Sequence, residues 1–418
     1  LAQMEYQYSS SPMIQSMSTS MLLMNTQKNN NMVGNDKRSI FFSSYIANNT
    51  QYKMDSEDEI FSEVKESIAF EKLGNYSASK AVLNRSRDIV ERQLGKKHPI
   101  TLNVLFRLID AEMAIGELAP AQKLCQTILE RLDHSNPEMD RYTFPSLNNL
   151  ILCFQYQGDL QSAVDTADKL ATLAEARSDW TLMIGTLLNK AIIMALQCND
   201  DCKQVFDQCV TLLKDKNIPT TNILYETVNG NYASYSHSVA DDSEAEELFQ
   251  TALKYAEQNN NQPELSNILT NYAEFLLSSE QFDRAEKMCE LASNQAEKTY
   301  GRDSPKLGMV IFILARLFNT KGNHAWAEGY FNKCIRLFED YRNRTMLQQR
   351  EQSNTVQEQT PNVQLGKREI EMRTNKEVDI DYGSVLWEYA QMLRSSGRLK
   401  EAVNLEERAR KLNAIDDD

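Results

Sequence analysis

Cys198, Cys202 and Cys209 are spaced four and seven residues apart, with Asp200 and Asp201 between the first two. On a helix this spacing brings thiols towards one side, and thiolates beside carboxylates are a ligand set for a divalent metal. The same cysteines also fit a plainer role. In register with the rest of the chain, Cys125, Cys209 and Cys289 fall where Leu83, Ala167, Phe249 and Phe331 stand elsewhere, as small core hydrophobes do. Other catalytic constellations are sparse. The histidines are His98, His134, His237 and His324, and the chain has no Gly-rich phosphate loop, HExxH or GxSxG. The expectation is a non-enzymatic protein with no metal or cofactor. An enzyme or metal protein using the Cys198–Cys209 region is the alternative from another class.

Amides form a second candidate set. The stretch "SLNNLILCFQYQGDLQSAV" (146–164) sets Asn148 and Asn149 among Leu147, Leu150, Ile151 and Phe154. Asparagine is a poor interior helix residue, because its amide competes for backbone hydrogen bonds. Asn149 lies nine residues before Gly158, and Asn231 and Asn271 lie nine before Ala240 and Glu280. A primary amide donates and accepts at once, so a row of them suits the backbone of an extended segment of variable sequence.

These residues must be positioned by a repeat. "GNYSASKAVLNRS" (74–86), "GELAPAQKLCQTI" (116–128), "GDLQSAVDTADKL" (158–170), "EQFDRAEKMCELA" (280–292), "GNHAWAEGYFNKC" (322–334) and "GRLKEAVNLEERA" (397–409) share a turn residue followed by a small residue five later. Weaker copies stand at 200–212 and 240–252. The small column reads Ser79, Ala121, Ala163, Val205, Ala245, Ala285, Ala327 and Ala402, in steps of 42, 42, 42, 40, 40, 42 and 75. A fixed period of this kind marks a solenoid, and the last step contains an insertion of about one repeat. Each copy holds two helical patterns, such as Leu105, Leu108 and Ile109 before the turn and Ala121, Leu124, Cys125 and Ile128 after it. The joins "LGKKHPITL" (94–102) and "YGRDSPKLG" (300–308) supply a terminating glycine and then a helix-starting proline. The expected fold is all-α, with about eight stacked helix–turn–helix units.

Composition agrees. With 14 glycines and 9 prolines in 418 residues, a turn-rich all-β fold is disfavoured. Forty-five basic against 59 acidic residues give a net charge of −14, which argues against nucleic acid as the main partner. No apolar run reaches the roughly 20 residues of a membrane span. Seven scattered cysteines without CxxC point to a reduced, intracellular compartment.

The repeat columns resemble tetratricopeptide repeats, and the 42-residue period with its "LGKKHP" and "YGRDSP" joins resembles the long repeats of kinesin light chains. The resemblance covers about 57–340 and 380–414. It implies a right-handed superhelical solenoid whose first helices line a concave groove. It also implies that Asn149, Asn231 and Asn271, with Asn148 beside them, are peptide-binding residues like the asparagine ladder of that family. The implied function is an adaptor or scaffold holding partner polypeptides, with a mitochondrial assembly factor or accessory subunit of a large complex as the alternative. Chaperone-binding relatives grip a terminal carboxylate with lysine and arginine on neighbouring first helices. Here the equivalent faces read Asn148, Lys190, Thr270, Phe312 and Trp387, with Arg316 and Arg394 isolated, so no such clamp is expected. Trp180, Trp326 and Trp387 are expected in the core or between helices.

Four segments are expected. Residues 1–54 form a low-complexity tail or targeting segment, in which Lys28, Lys37, Arg38 and Lys53 face only Glu5 and Asp36. "KRSIFFSSY" (37–45) has the basic-then-aromatic order of a mitochondrial presequence end, so the location is mitochondrial or cytoplasmic. Residues 55–340 carry seven repeats, 341–380 a polar insertion, and 381–418 the final repeat and an acidic terminus.

Overall fold

A computed structural model of the chain describes residues 62–72, 76–132, 140–359 and 376–413. The tail 1–54, His134 and residues 360–375 of the polar insertion lie outside the described residues. Among the described residues there are sixteen helices and no strands, in the order α1 (Ser62–Lys72), α2 (Tyr76–Leu94), α3 (Pro99–Ala114), α4 (Leu118–Arg131), α5 (Asp140–Gln157), α6 (Leu160–Ala176), α7 (Trp180–Leu196), α8 (Cys202–Asp215), α9 (Leu224–Ser238), α10 (Asp242–Gln258), α11 (Gln262–Ser278), α12 (Phe282–Tyr300), α13 (Pro305–Thr320), α14 (His324–Gln359), α15 (Lys376–Ser395) and α16 (Leu399–Asn413). They pack in consecutive pairs, the helix–turn–helix repeat that the period implied. The chain divides into two compact units, the first ending at Leu212 and the second beginning at Leu213.

Local chemistry sets the helix ends. The joins behave as read: Gly95 and Gly301 adopt φ of 92° and 88°, which only glycine enters without strain. His98 and Ser304 then cap α3 and α13 ahead of Pro99 and Pro305. Asp159, Asp179 and Asp241 cap α6, α7 and α10 by accepting from backbone amides of their first turns.

The small column packs each second helix on its first. Ser79, Ala121, Ala163, Ala245, Ala285, Ala327 and Ala402 are all fully buried. Val205 departs from the column. It is half-buried, and Cys202 and Phe206 on either side of it are the core residues, because α8 begins later after its turn than the other second helices do. In the first unit Leu83, Val90, Ile100, Val104 and Leu108 form one buried cluster. In the second, Phe249, Phe275, Ala285, Phe331, Phe338 and Leu386 belong to a core that runs through successive repeats. Gly230 admits α11 closely, since a Cβ there would stand 3.2 Å from Ile268.

The insertion begins by extending a helix. α14 runs on to Gln359, beyond the length of the other second helices, and Arg342 on this extension pairs with the buried Asp379 at 2.6 Å.

Candidate functional site

Seven turns between first and second helices share a left-handed backbone residue: Gly116, Gly158, Cys198, Ala240, Glu280, Gly322 and Gly397, with φ from 53° to 82°. They give the first helices α3, α5, α7, α9, α11, α13 and α15 a common origin. Nine residues before them stand Arg107, Asn149, Asn189, Asn231, Asn271, Ile313 and Glu388. Four consecutive repeats therefore carry asparagine at one position. Asn189 escaped the sequence reading because repeat four was counted from Asp200 rather than from Cys198, which takes φ 53° where glycine is expected. The available signal was the period itself, since Cys198 is 40 residues after Gly158 and 42 before Ala240.

In the first unit the column runs from α3 to α7. Asn149 on α5 is half-buried, its neighbour Asn148 is buried, and Asn189 on α7 keeps 3% of its surface. Arg107 on α3 donates from Nη2 to Glu71 Oε2 at 2.7 Å, and Ser79 Oγ donates to the other Glu71 oxygen at 2.8 Å. Asp110, one turn after Arg107, is half-buried, and withdrawal from water together with the Glu71 charge pushes its carboxyl up to about 7, against the pull of Arg107. Its ordinary value is 3.8. The folded chain therefore holds this proton where the unfolded chain releases it, and stability falls as pH rises from that ordinary value to about 7. Asp110→Asn should leave stability nearly unchanged at pH 4 and raise it at pH 8 by on the order of 1–2 kcal/mol, discounted for partial solvation. Thermal unfolding of both proteins at the two pH values checks this.

In the second unit the column lies on α9 and α11. All fourteen residues from Leu224 to His237 are buried, although α9 carries Glu226, Thr227, Asn229, Asn231, Ser234, Ser236 and His237. Back-bonding within the helix satisfies part of this polarity: Asn231 Nδ2 donates to Thr227 O at 2.8 Å, and Ser234 Oγ to Gly230 O at 3.0 Å. Glu226 accepts from Asn259 Nδ2 at 2.7 Å and Asn261 Nδ2 at 3.1 Å, while burial raises its carboxyl. Asn271 is half-buried on α11 and donates to Ser234 Oγ of α9 at 3.4 Å, which links the column sideways between first helices. Asn267, Thr270 and Asn271 continue the same amide and hydroxyl chemistry at helical spacing. Glu274 follows, 2% exposed at its side chain and bound to Arg316 of α13, whose Nε is 3.9 Å from Glu388 on α15.

Several expectations need correction. Lys190 is not on the face compared with the carboxylate clamp. It stands eight residues before its turn and pairs with Asp168 of α6 at 2.5 Å. Arg316 and Arg394 are not isolated charges, since Arg394 holds Glu406 through two nitrogens at 2.7–3.1 Å and Arg316 holds Glu274. Trp326 and Trp387 are 59% and 45% exposed rather than core residues, and Trp326 lies against Phe318 and Tyr330. Cys198 is exposed in its turn while Cys202 and Cys209 point into the core, so the three thiols do not converge. Cys209 Sγ lies 3.8 Å from Ile184 O, and burial raises its thiol well above the ordinary range. Among the described residues no group of three or more metal-ligating side chains occurs. Nor is any helix among them long and apolar enough to cross a membrane.

Residues 264–340 match the family model of the tetratricopeptide repeat. No curated protein sequence matches the chain. Among solved structures, the chain is similar to a signal-transduction ATPase with a tetratricopeptide repeat sensor from Pyrococcus horikoshii, at 15% identity and a TM-score of 0.51 over 67% of this chain and 42% of that one. It is also similar to the nearly identical TPR-like repeats of a Podosopora anserina kinesin light chain, at 16% identity and 0.41 over 49% and 99%. A Rap protein complexed with competence and sporulation factor gives 12% identity and 0.48 over 86% and 98%. Residues 264–340 are thus tetratricopeptide repeats, and the same paired-helix pattern occurs among the described residues of both units.

Proposed function

We propose that this protein is a non-enzymatic adaptor that binds extended segments of partner polypeptides on its first helices, with Asn149, Asn189, Asn231 and Asn271 pairing to the partner's backbone. The observation that carries the reading is the recurrence of asparagine nine residues before the turn in four consecutive repeats. A core position tolerates such an amide only where its hydrogen bonds are met, and an isolated one is readily replaced by an apolar residue. Recurrence at one register position across repeats of otherwise different sequence fits a shared demand for a group that both donates and accepts. An extended peptide backbone makes that demand. The hydroxyls and amides beside the column, Thr227 and Ser234 on α9 and Asn267 and Thr270 on α11, suit the same partner.

The test is selection of binding peptides from a random displayed library against the full chain, repeated with Asn149, Asn189, Asn231 and Asn271 all changed to alanine. Each lost backbone contact is worth about 0.5–1.5 kcal/mol, so the affinity of selected peptides should fall at least several-fold. Alanine is the better helix former, which offsets the loss of own-helix bonds such as Asn231 to Thr227, and the melting transition should hold. Undiminished affinity in a destabilised variant would show the asparagines to be structural.

A further inference from the structure

We propose that Phe318, Trp326 and Tyr330 of the second unit form a platform on which a partner protein seats an arginine side chain, its guanidinium stacked on the Trp326 indole and paired to carboxylates of α12. The platform shares no residue with the asparagine column, so it stands or falls apart from the adaptor reading.

The rings come first. Trp326 stands four residues after its turn, where the six other turns named above are followed by Pro120, Ser162, Cys202, Glu244, Arg284 and Glu401. Helix pairing therefore makes no demand for an aromatic residue at this position. The indole is 59% exposed, yet it is held in place. Its centroid lies 6.0 Å from Phe318 of α13 and 6.2 Å from Tyr330 of its own helix. Those two rings are 5.4 Å apart, and the interplanar angles are 22–32°. Phe318 and Tyr330 are half-buried and packed against the core of the unit. A fixed, mostly exposed indole is a stacking surface that loses little freedom when a ligand covers it.

The charges choose the occupant. Lys321 lies 5.9 Å from the Phe318 centroid, donates to Glu286 at 2.7 Å and stands 3.6 Å from Asp283. The bond to Glu286 holds its ammonium pKa above the ordinary value. One edge of the platform is thus already a cation site of ring face and carboxylate, filled by the chain's own lysine. The pKa of the Tyr330 hydroxyl is raised too, first by burial and then by the charges of Glu286 and Glu290. Asp283, 98% exposed at its side chain, and Glu290, exposed on α12, remain open to a second cation. Lys287 and Lys333 are exposed on α12 and α14, so the attraction comes from these carboxylates beside the rings and not from net charge. Arginine fits better than lysine, because its planar guanidinium is less tightly hydrated, stacks on an indole and reaches carboxylates with its edge N–H groups.

The test labels the full chain with fluorotryptophan and follows the Trp180, Trp326 and Trp387 resonances by fluorine NMR, with Trp326→Phe assigning the one that matters. The probe is the peptide Gly-Ser-Gly-Arg-Gly-Ser-Gly, compared with counterparts carrying lysine or citrulline, the neutral isostere, in place of arginine. The arginine peptide should shift the Trp326 resonance saturably, the lysine peptide should bind several-fold more weakly, and the citrulline peptide should leave it in place. Asp283→Asn with Glu290→Gln should weaken arginine binding several-fold. Lys321→Met frees Glu286 and the Phe318 ring from the resident cation and should strengthen it several-fold. Each of these changes is at an exposed residue, so circular dichroism melts should match that of the natural chain. A Trp326 resonance that does not move, or moves equally with citrulline, overturns the cation, and equal affinity for lysine overturns the choice of guanidinium. Affinity unchanged by the two carboxylate substitutions overturns the pairing to α12. Equal shifts at Trp326 and Trp387 mean general attraction to an acidic chain and overturn the site. So does a Trp326 resonance that moves with protein concentration alone while light scattering gives a dimeric mass, because the platform then covers a second copy.

Discussion

Phe249→Ala should lower the stability of the second unit by about 3–5 kcal/mol, the range for removing a buried phenylalanine from a packed core. Phe249 is 1% exposed on α10 and stacks on Tyr272 at 5.2 Å, with Phe275 at 5.6 Å. Its neighbours along the helix, Ala245 and Ala252, are fully buried and too small to fill the void. Phe249→Leu keeps most of the volume and should cost about 1 kcal/mol. Because each repeat leans on its neighbours, the loss should move the whole transition of the unit rather than melt one helix pair. Urea unfolding followed by circular dichroism measures both variants, and an alanine cost below 1 kcal/mol would show that the column is not close-packed.

Arg316→Ala should cost about 3 kcal/mol, at the lower end of the range for breaking a buried pair because Arg316 keeps 21% of its side-chain surface. Its loss strands the Glu274 carboxylate, which is 2% exposed, and also removes the cation lying over the Phe312 ring at 5.8 Å. Attraction between the two charges does not by itself explain the cost. The penalty comes from a buried charge left without its partner, so deleting both charges should be much milder. Arg316→Met combined with Glu274→Leu should recover most of the stability lost in the single variant, and the double-mutant cycle reads the coupling directly. A double variant as unstable as Arg316→Ala would mean that the arginine acts through packing alone.

The period of 40 to 42 residues determined the fold class, because helix pairs that cannot bury their apolar faces alone must stack, and stacking imposes the same spacing on every copy. Ala121, Ala163, Ala245, Ala285, Ala327 and Ala402 were legible as the close-contact column from spacing, as were the helix starts at Pro99 and Pro305. The turn register of repeat four was not legible. Cys198, Ala240 and Glu280 hold left-handed conformations without being glycine, at a local cost of about 1–2 kcal/mol that the packing of each helix pair overrides. That register hid Asn189, displaced Val205 from the core column and set Lys190 on the wrong face. Exposure was likewise decided by the tertiary structure. Trp326 and Trp387 have core-like side chains but face solvent, whereas polar Asn231 and Glu226 are buried. A residue's type records its transfer preference, but its depth depends on which neighbouring helix passes over it, and stacking settles that.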